Sequence, residues 1–241
     1  MNNPLLAYLH ISGKWTRGSV LFLILGLFSA PYVAGQETKV VRDLHLWTGV
    51  ELEKTFAKDW TVSLKEEVRF KHDVSELNNY FTELGLRYRI NKNFSLQGNY
   101  RFTSDRKKDM SYENLSRYNF DLRYSGKLDF LTIKYRLRYQ KEVDGFSLLE
   151  QNMPFEKYIR HRITFRLKKI KALEPYVSGE IFQLFSPTSY PDFEYVRFQA
   201  GVVYDIRKAG EIKVAYGFNR ELVSTQPAMI YMMRLNYTFK L

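Results

Sequence analysis

From Leu44 to the last residue, apolar and charged side chains alternate with a period of two. The stretch Leu131–Gln140 is the cleanest instance, with Leu131, Ile133, Tyr135, Leu137 and Tyr139 on one face. Thr132, Lys134, Arg136, Arg138 and Gln140 take the other. Successive side chains of a β-strand point to opposite faces of a sheet, so this pattern specifies strand. One such segment would suit any half-buried sheet. About eleven in succession, each setting an aromatic and aliphatic row against a charged one, describe a barrel that faces lipid outside and water or ion pairs inside.

Composition agrees with that reading only when taken face by face. A mean hydropathy of -0.38 looks soluble, because inward polar residues cancel outward apolar ones. Aromatics reach 16%, and Tyr, Trp and Phe are the residues that form girdles at both water–lipid boundaries. The net charge of +11 would suit a nucleic-acid partner, but the bases are spread over strand after strand, so no nucleic-acid partner is expected. Cysteine is absent, which removes disulfides, zinc thiolates and thiol nucleophiles.

Residues 1–35 have the form of a cleaved signal peptide. Lys14 and Arg17 are its basic region, Val20–Phe28 its apolar run and Val33-Ala34-Gly35 its small-residue cleavage site. The apolar run falls short of the roughly 20 residues a membrane helix needs. Residues 36–241 are then the barrel domain, and no cysteine follows the cleavage site to carry a lipid.

Connections are expected to alternate in length. The short ones are Asn91-Lys92-Asn93, Ser125–Asp129, Lys168–Glu174 and Arg207–Gly210. The long ones are Lys71–Asn79, Ser104–Ser116, Lys141–Lys157, Ser186–Glu194 and Glu221–Met229. Short periplasmic turns and long external loops produce this asymmetry in outer-membrane barrels. The final strand, Ile230–Leu241, stays amphipathic to its last residue, a feature by which such barrels engage the assembly machinery. The fold class expected is an all-β, antiparallel transmembrane barrel of about 10–12 strands. Bacterial single-chain barrels have even counts, so twelve is preferred, with a short strand near Glu37–Val41 completing the set.

Leu46-Trp47-Thr48-Gly49, the run from Gly85 to Lys92 and the run from Tyr135 to Gln140 resemble the DUF 2490 family. The resemblance covers Asp43 to Leu241. It implies an outer-membrane barrel of a Gram-negative, Bacteroidetes-like bacterium, in contact with outer-membrane lipid and lipopolysaccharide. It brings no activity and no catalytic residues.

The residues themselves present no catalytic or metal-ligating constellation, and no cofactor is expected. His45, His72 and His161 are far apart, and His161 lies on the apolar face of its strand. The inward face is more informative. Alternation directs Arg87, Arg89, Arg101, Arg123, Lys134, Arg136, Arg138, Arg160, Arg162 and Arg166 inward as a basic ladder, and acids on the same face are fewer. Unpaired charge is too costly to stay dry. Either acids reach across the strands, or water and anions occupy the interior. The expected function is passage or binding of small anionic solutes. An outer-membrane enzyme or lipid-modifying barrel, and a purely structural closed barrel, remain the alternatives.

Overall fold

The computed structural model describes residues 40–107, 109–144, 157–168, 172–185, 193–206, 209–223 and 227–241. The segment read as a signal peptide lies outside them. Eleven strands follow in order: β1 (Val41–Phe56), β2 (Trp60–Lys71), β3 (Glu76–Arg89), β4 (Phe94–Arg106), β5 (Tyr112–Lys127), β6 (Leu131–Asp144), β7 (Lys157–Leu167), β8 (Leu173–Leu184), β9 (Phe193–Asp205), β10 (Glu211–Glu221) and β11 (Ala228–Lys240). Each pairs antiparallel with its neighbour in sequence, and β1 pairs with β11 in parallel to close the barrel.

The parallel seam resolves the strand count. Eleven lies within the expected range: among the described residues no twelfth strand enters the closed ladder, Val41 opens β1, and residues 37–39, where the short strand is expected to begin, fall outside the described set. With an odd count, β1 starts at the long-loop end while β11 finishes at the short-turn end. The two can then meet only in parallel, which they do from Val41↔Ala228 to Glu53↔Lys240. Closure matters because an open edge of unpaired N–H and C=O groups invites aggregation.

Strands run further than their apolar stripes. The loop expected over Lys71–Asn79 shrinks to residues 72–75, and that over Ser104–Ser116 to 107–111. Backbone pairing continues through Asp105, Arg106 and Glu113 because the ladder does not need apolar side chains outside. The turn at 72–75 carries positive φ at His72, Asp73 and Val74, a strained conformation for non-glycine residues. Asp43 holds it: its carboxylate accepts from the amides of His72 (3.1 Å) and Asp73 (3.0 Å) and meets His45 Nε2 at 2.8 Å.

The outward row is apolar and exposed over most strands, including Leu52, Leu64, Leu84, Leu96, Phe120, Val214 and Leu235. On β2–β5, aromatic pairs stand at both ends of it: Trp60–Tyr88 and Phe94–Tyr124 near the short turns and Tyr80–Tyr112 at the other end, with Tyr100–Tyr118 between. Glu66 interrupts this row in the middle of β2, where the Thr82 hydroxyl donates to its carboxylate at 2.8 Å.

Candidate functional site

The interior is held together by carboxylates that each gather several cations. Glu67, on β2, takes Lys65 at 2.5 Å, Arg69 at 2.8 Å and Arg234 at 3.4 Å. Asp121, on β5, takes Arg138 at 2.5 Å and Arg123 at 2.8 Å. Glu180, on β8, meets Arg136, Arg160 (2.8 Å) and Arg197 (3.8 Å). Single pairs join Arg101 to Glu83 at 2.7 Å, Arg166 to Glu174 at 3.0 Å and Arg87 to Glu53 at 3.5 Å, and Arg117 to Glu142. Strand register makes these clusters. Arg138 lies directly opposite both Asp121 and Arg160, and Arg162 opposite both Arg136 and Glu180. For Arg136, Arg138 and Arg160 the acids therefore do reach across. Among the described residues Arg162 has only neutral acceptors, Ser178 Oγ and Gln199 Oε1, both at 3.2 Å.

Aromatic rings interleave with these guanidinium groups toward the long-loop half. Arg69 packs on Trp47 at 4.0 Å and Phe81 at 4.9 Å, and Arg101 on Phe81 at 3.6 Å. Arg160 covers Phe182 at 4.1 Å, while Arg197 lies between Phe182 (4.8 Å) and Trp47 (5.2 Å). Stacking of this kind stabilises a cation away from water. These rings escaped the sequence reading, although each sits in phase with the charged face of its strand: Trp47 with Glu51, Phe81 with Glu83, Phe182 with Glu180.

Two cavities occupy the remaining space. One, of about 460 Å³, includes the short-turn residues Asp59, Asn91 and Asn93 in its lining. The other, of about 550 Å³, extends along the interior to Trp47, Tyr158 and Tyr195. Arg87, Arg123, Arg136, Arg162, Arg166 and Lys213 line both, so the boundary between the cavities is a belt of cations. Five of the ten ladder residues lie in that belt. Arg89 and Lys134 line only the outer cavity, and Arg101, Arg138 and Arg160 only the inner one. Lys213 is not among the ten ladder residues, but alternation places it inward too, in phase with Glu211.

The histidines are dispersed. His45 pairs with Asp43, His72 approaches Glu76 at 3.6 Å, and His161 Nδ1 meets the Tyr135 hydroxyl at 2.7 Å on the outer face. Among the described residues, no group of three or more His, Cys, Asp or Glu is placed to hold a metal ion.

Odd strand number, a parallel seam and an interior of bridged charges define a single-chain closed β-barrel with an ionic core. The chain belongs to the family described as Protein of unknown function (DUF2490), whose model matches residues 44–228, more than half of its length. No curated protein and no solved structure matches it.

Proposed function

We propose that the protein is an outer-membrane barrel whose interior takes up small anionic solutes from the short-turn, periplasmic end. The cation belt between the two cavities carries this reading. Charged rings in a narrow passage set its selectivity. The six side chains shared by both cavities are all cations, four of them ion-paired, while among the described residues Arg162 and Lys213 have no carboxylate within 4.0 Å. The exposed apolar band with aromatic pairs at both ends supports a membrane location, since so much contiguous apolar surface is costly in water. That band would contact outer-membrane lipid and lipopolysaccharide, and β11 would be the strand read by the assembly machinery. The layer of Trp47, Phe81 and Phe182 with their arginines narrows the far half, which favours binding or slow passage over free flow. That same layer favours a closed structural barrel as the second reading.

Two measurements test the proposal. The native protein should fractionate with outer membranes and need detergent for release. Recovery from the soluble periplasm would remove the membrane reading. In a planar bilayer under a salt gradient, the reversal potential should show anion preference with small conductance. Cation preference would overturn anion uptake, and complete silence would favour the closed barrel.

A further inference from the structure

Most interior cations are neutralised in place, and those that are not fall together. Among the described residues, no carboxylate lies within 4.0 Å of Lys134, Arg162 or Lys213. All three line the outer cavity, from β6, β7 and β10. Arg89 also lacks an acid, but it sits exposed at the rim. The charges acting most strongly on Lys213 are cations: Arg162, Arg234, Arg166 and Lys65. A side chain surrounded by like charge in a confined space calls for a counter-ion.

A second, independent observation marks the same place. The Tyr176 hydroxyl is buried without a hydrogen-bond partner, and so is Arg166 Nε. Tyr176 is only 4% exposed, and its strongest charged neighbours are Arg162, Arg234 and Arg166, which donate and cannot accept. An orphaned buried donor is expensive, so a hydroxyl among guanidinium groups points to a missing acceptor. Gly201 leaves room for the ring beside β9. A Cβ at that position would stand 2.4 Å from the Val214 carbonyl oxygen, 2.8 Å from Ala215 Cβ and 2.9 Å from Tyr176 Cε1, so a side chain there would crowd both the neighbouring strand and the ring. Tyr176 thereby packs with Val203 and Ala215 and presents its face to Lys213 Nζ at 4.8 Å.

Resting on the proposed uptake of anions, we infer that Lys134, Arg162, Lys213 and Tyr176 form a binding site for a phosphate group, inorganic or carried by a small monoester. Three positive charges with no described carboxylate within 4.0 Å call for more than one negative charge. A carboxylate brings one charge and two oxygens. A phosphoryl group brings a charge of about −1.5 to −2 near neutral pH and at least three strong acceptors. Lysine ammonium, arginine fork and tyrosine hydroxyl together supply donors for all of them. The cavity of about 460 Å³ is larger than phosphate alone, which leaves room for an organic substituent toward the short turns.

The test uses the full chain in non-ionic detergent and calorimetric titration with inorganic phosphate, glycerol phosphate, acetate and chloride. One phosphate per barrel should bind saturably, with acetate and chloride at least about tenfold weaker. Lys213→Met and Arg162→Gln should each weaken phosphate by about tenfold or more, and Tyr176→Phe by about threefold to tenfold. Lys71→Gln, at the opposite end beside Glu76, should change nothing. If Lys213→Met does not fold, judged by heat-modifiable migration, Lys213→Gln and Tyr176→Phe decide. Absence of saturable phosphate binding, an equal response to acetate, or full affinity in these variants overturns the site. Tighter binding of short-chain phosphatidic acid than of glycerol phosphate would assign the phosphate to a lipid, and the reverse order to a soluble solute. Anion-selective conductance without phosphate binding would reject the site and keep the uptake reading. Phosphate binding in a silent barrel would do the opposite.

Discussion

Glu180 is the anion on which the largest number of interior arginines depend. Its side chain is 3% exposed and faces Arg136, Arg160 and Arg197. Arg160 donates to it twice, from Nε at 3.0 Å and Nη2 at 2.8 Å. Glu180→Gln keeps volume and an acceptor oxygen but removes the charge, leaving three guanidinium groups repelling one another. Breaking a buried pair costs about 3–5 kcal/mol. Because the inner cavity of about 550 Å³ lies alongside and is large enough for water or chloride, the lower end applies, about 3 kcal/mol. Glu174→Gln is the control. Its carboxylate is 26% exposed and holds one arginine, so the expected loss is below about 1 kcal/mol. Urea unfolding of the detergent-solubilised protein, followed by tryptophan fluorescence, measures both. Added chloride should return part of the Glu180→Gln loss, because an anion can enter where the carboxylate charge was. A Glu180→Gln variant within about 0.5 kcal/mol of the parent, or no worse than Glu174→Gln, would refute this account of the interior.

Two further predictions concern the frame. Thr48 and Leu235 are register partners across the seam, so Thr48→Cys with Leu235→Cys should form a disulfide on oxidation in a chain that has no other thiols; a twelfth strand between them would prevent the cross-link, and its absence would sink the parallel closure. Asp43→Ala should destabilise the barrel by about 1–2 kcal/mol and speed tryptic cleavage after Lys71, since it removes the acceptor for two amides of a turn with three positive φ values; unchanged cleavage would show that the turn holds itself.

Alternation made the faces of the strands legible, because period two is a property of the isolated segment. Ile159, Ile163 and Phe165 must be on one side of β7 and Arg160, Arg162 and Arg166 on the other, whatever the neighbours do. Strand ends were less legible. Above and below the apolar band, both faces are polar, so the pattern stops while hydrogen bonding between β4 and β5 continues to Arg106↔Tyr112. The least regular stretch, Pro175–Phe185, also has a physical reason. β8 turns Tyr176 and Phe182 inward and Gly179 outward, so its aromatic residues stand on the polar side and a glycine interrupts the apolar row.

What the interior does with its charge was beyond alternation, because it depends on register between strands. Arg136 and Arg160 are bridged by a glutamate 44 and 20 residues away, and Arg234 reaches Glu67 over 167 residues, only across the seam. A surplus of bases counted along the chain therefore says that some cations must lack acids, not which ones. The register selects them. Lys134 faces Ser125 and Thr164, Lys213 faces Val203 on β9 and Asn236 on β11, and Arg162 shares Glu180 with neighbours that sit closer to it. The two lysines have no acid as register partner, Arg162 loses Glu180 to Arg136 and Arg160, and all three lie on the wall of one cavity. Random placement of a basic surplus would have scattered them to the rims, where water solvates charge at little cost. Their convergence beside the unpartnered Tyr176 hydroxyl is what the phosphate titration tests.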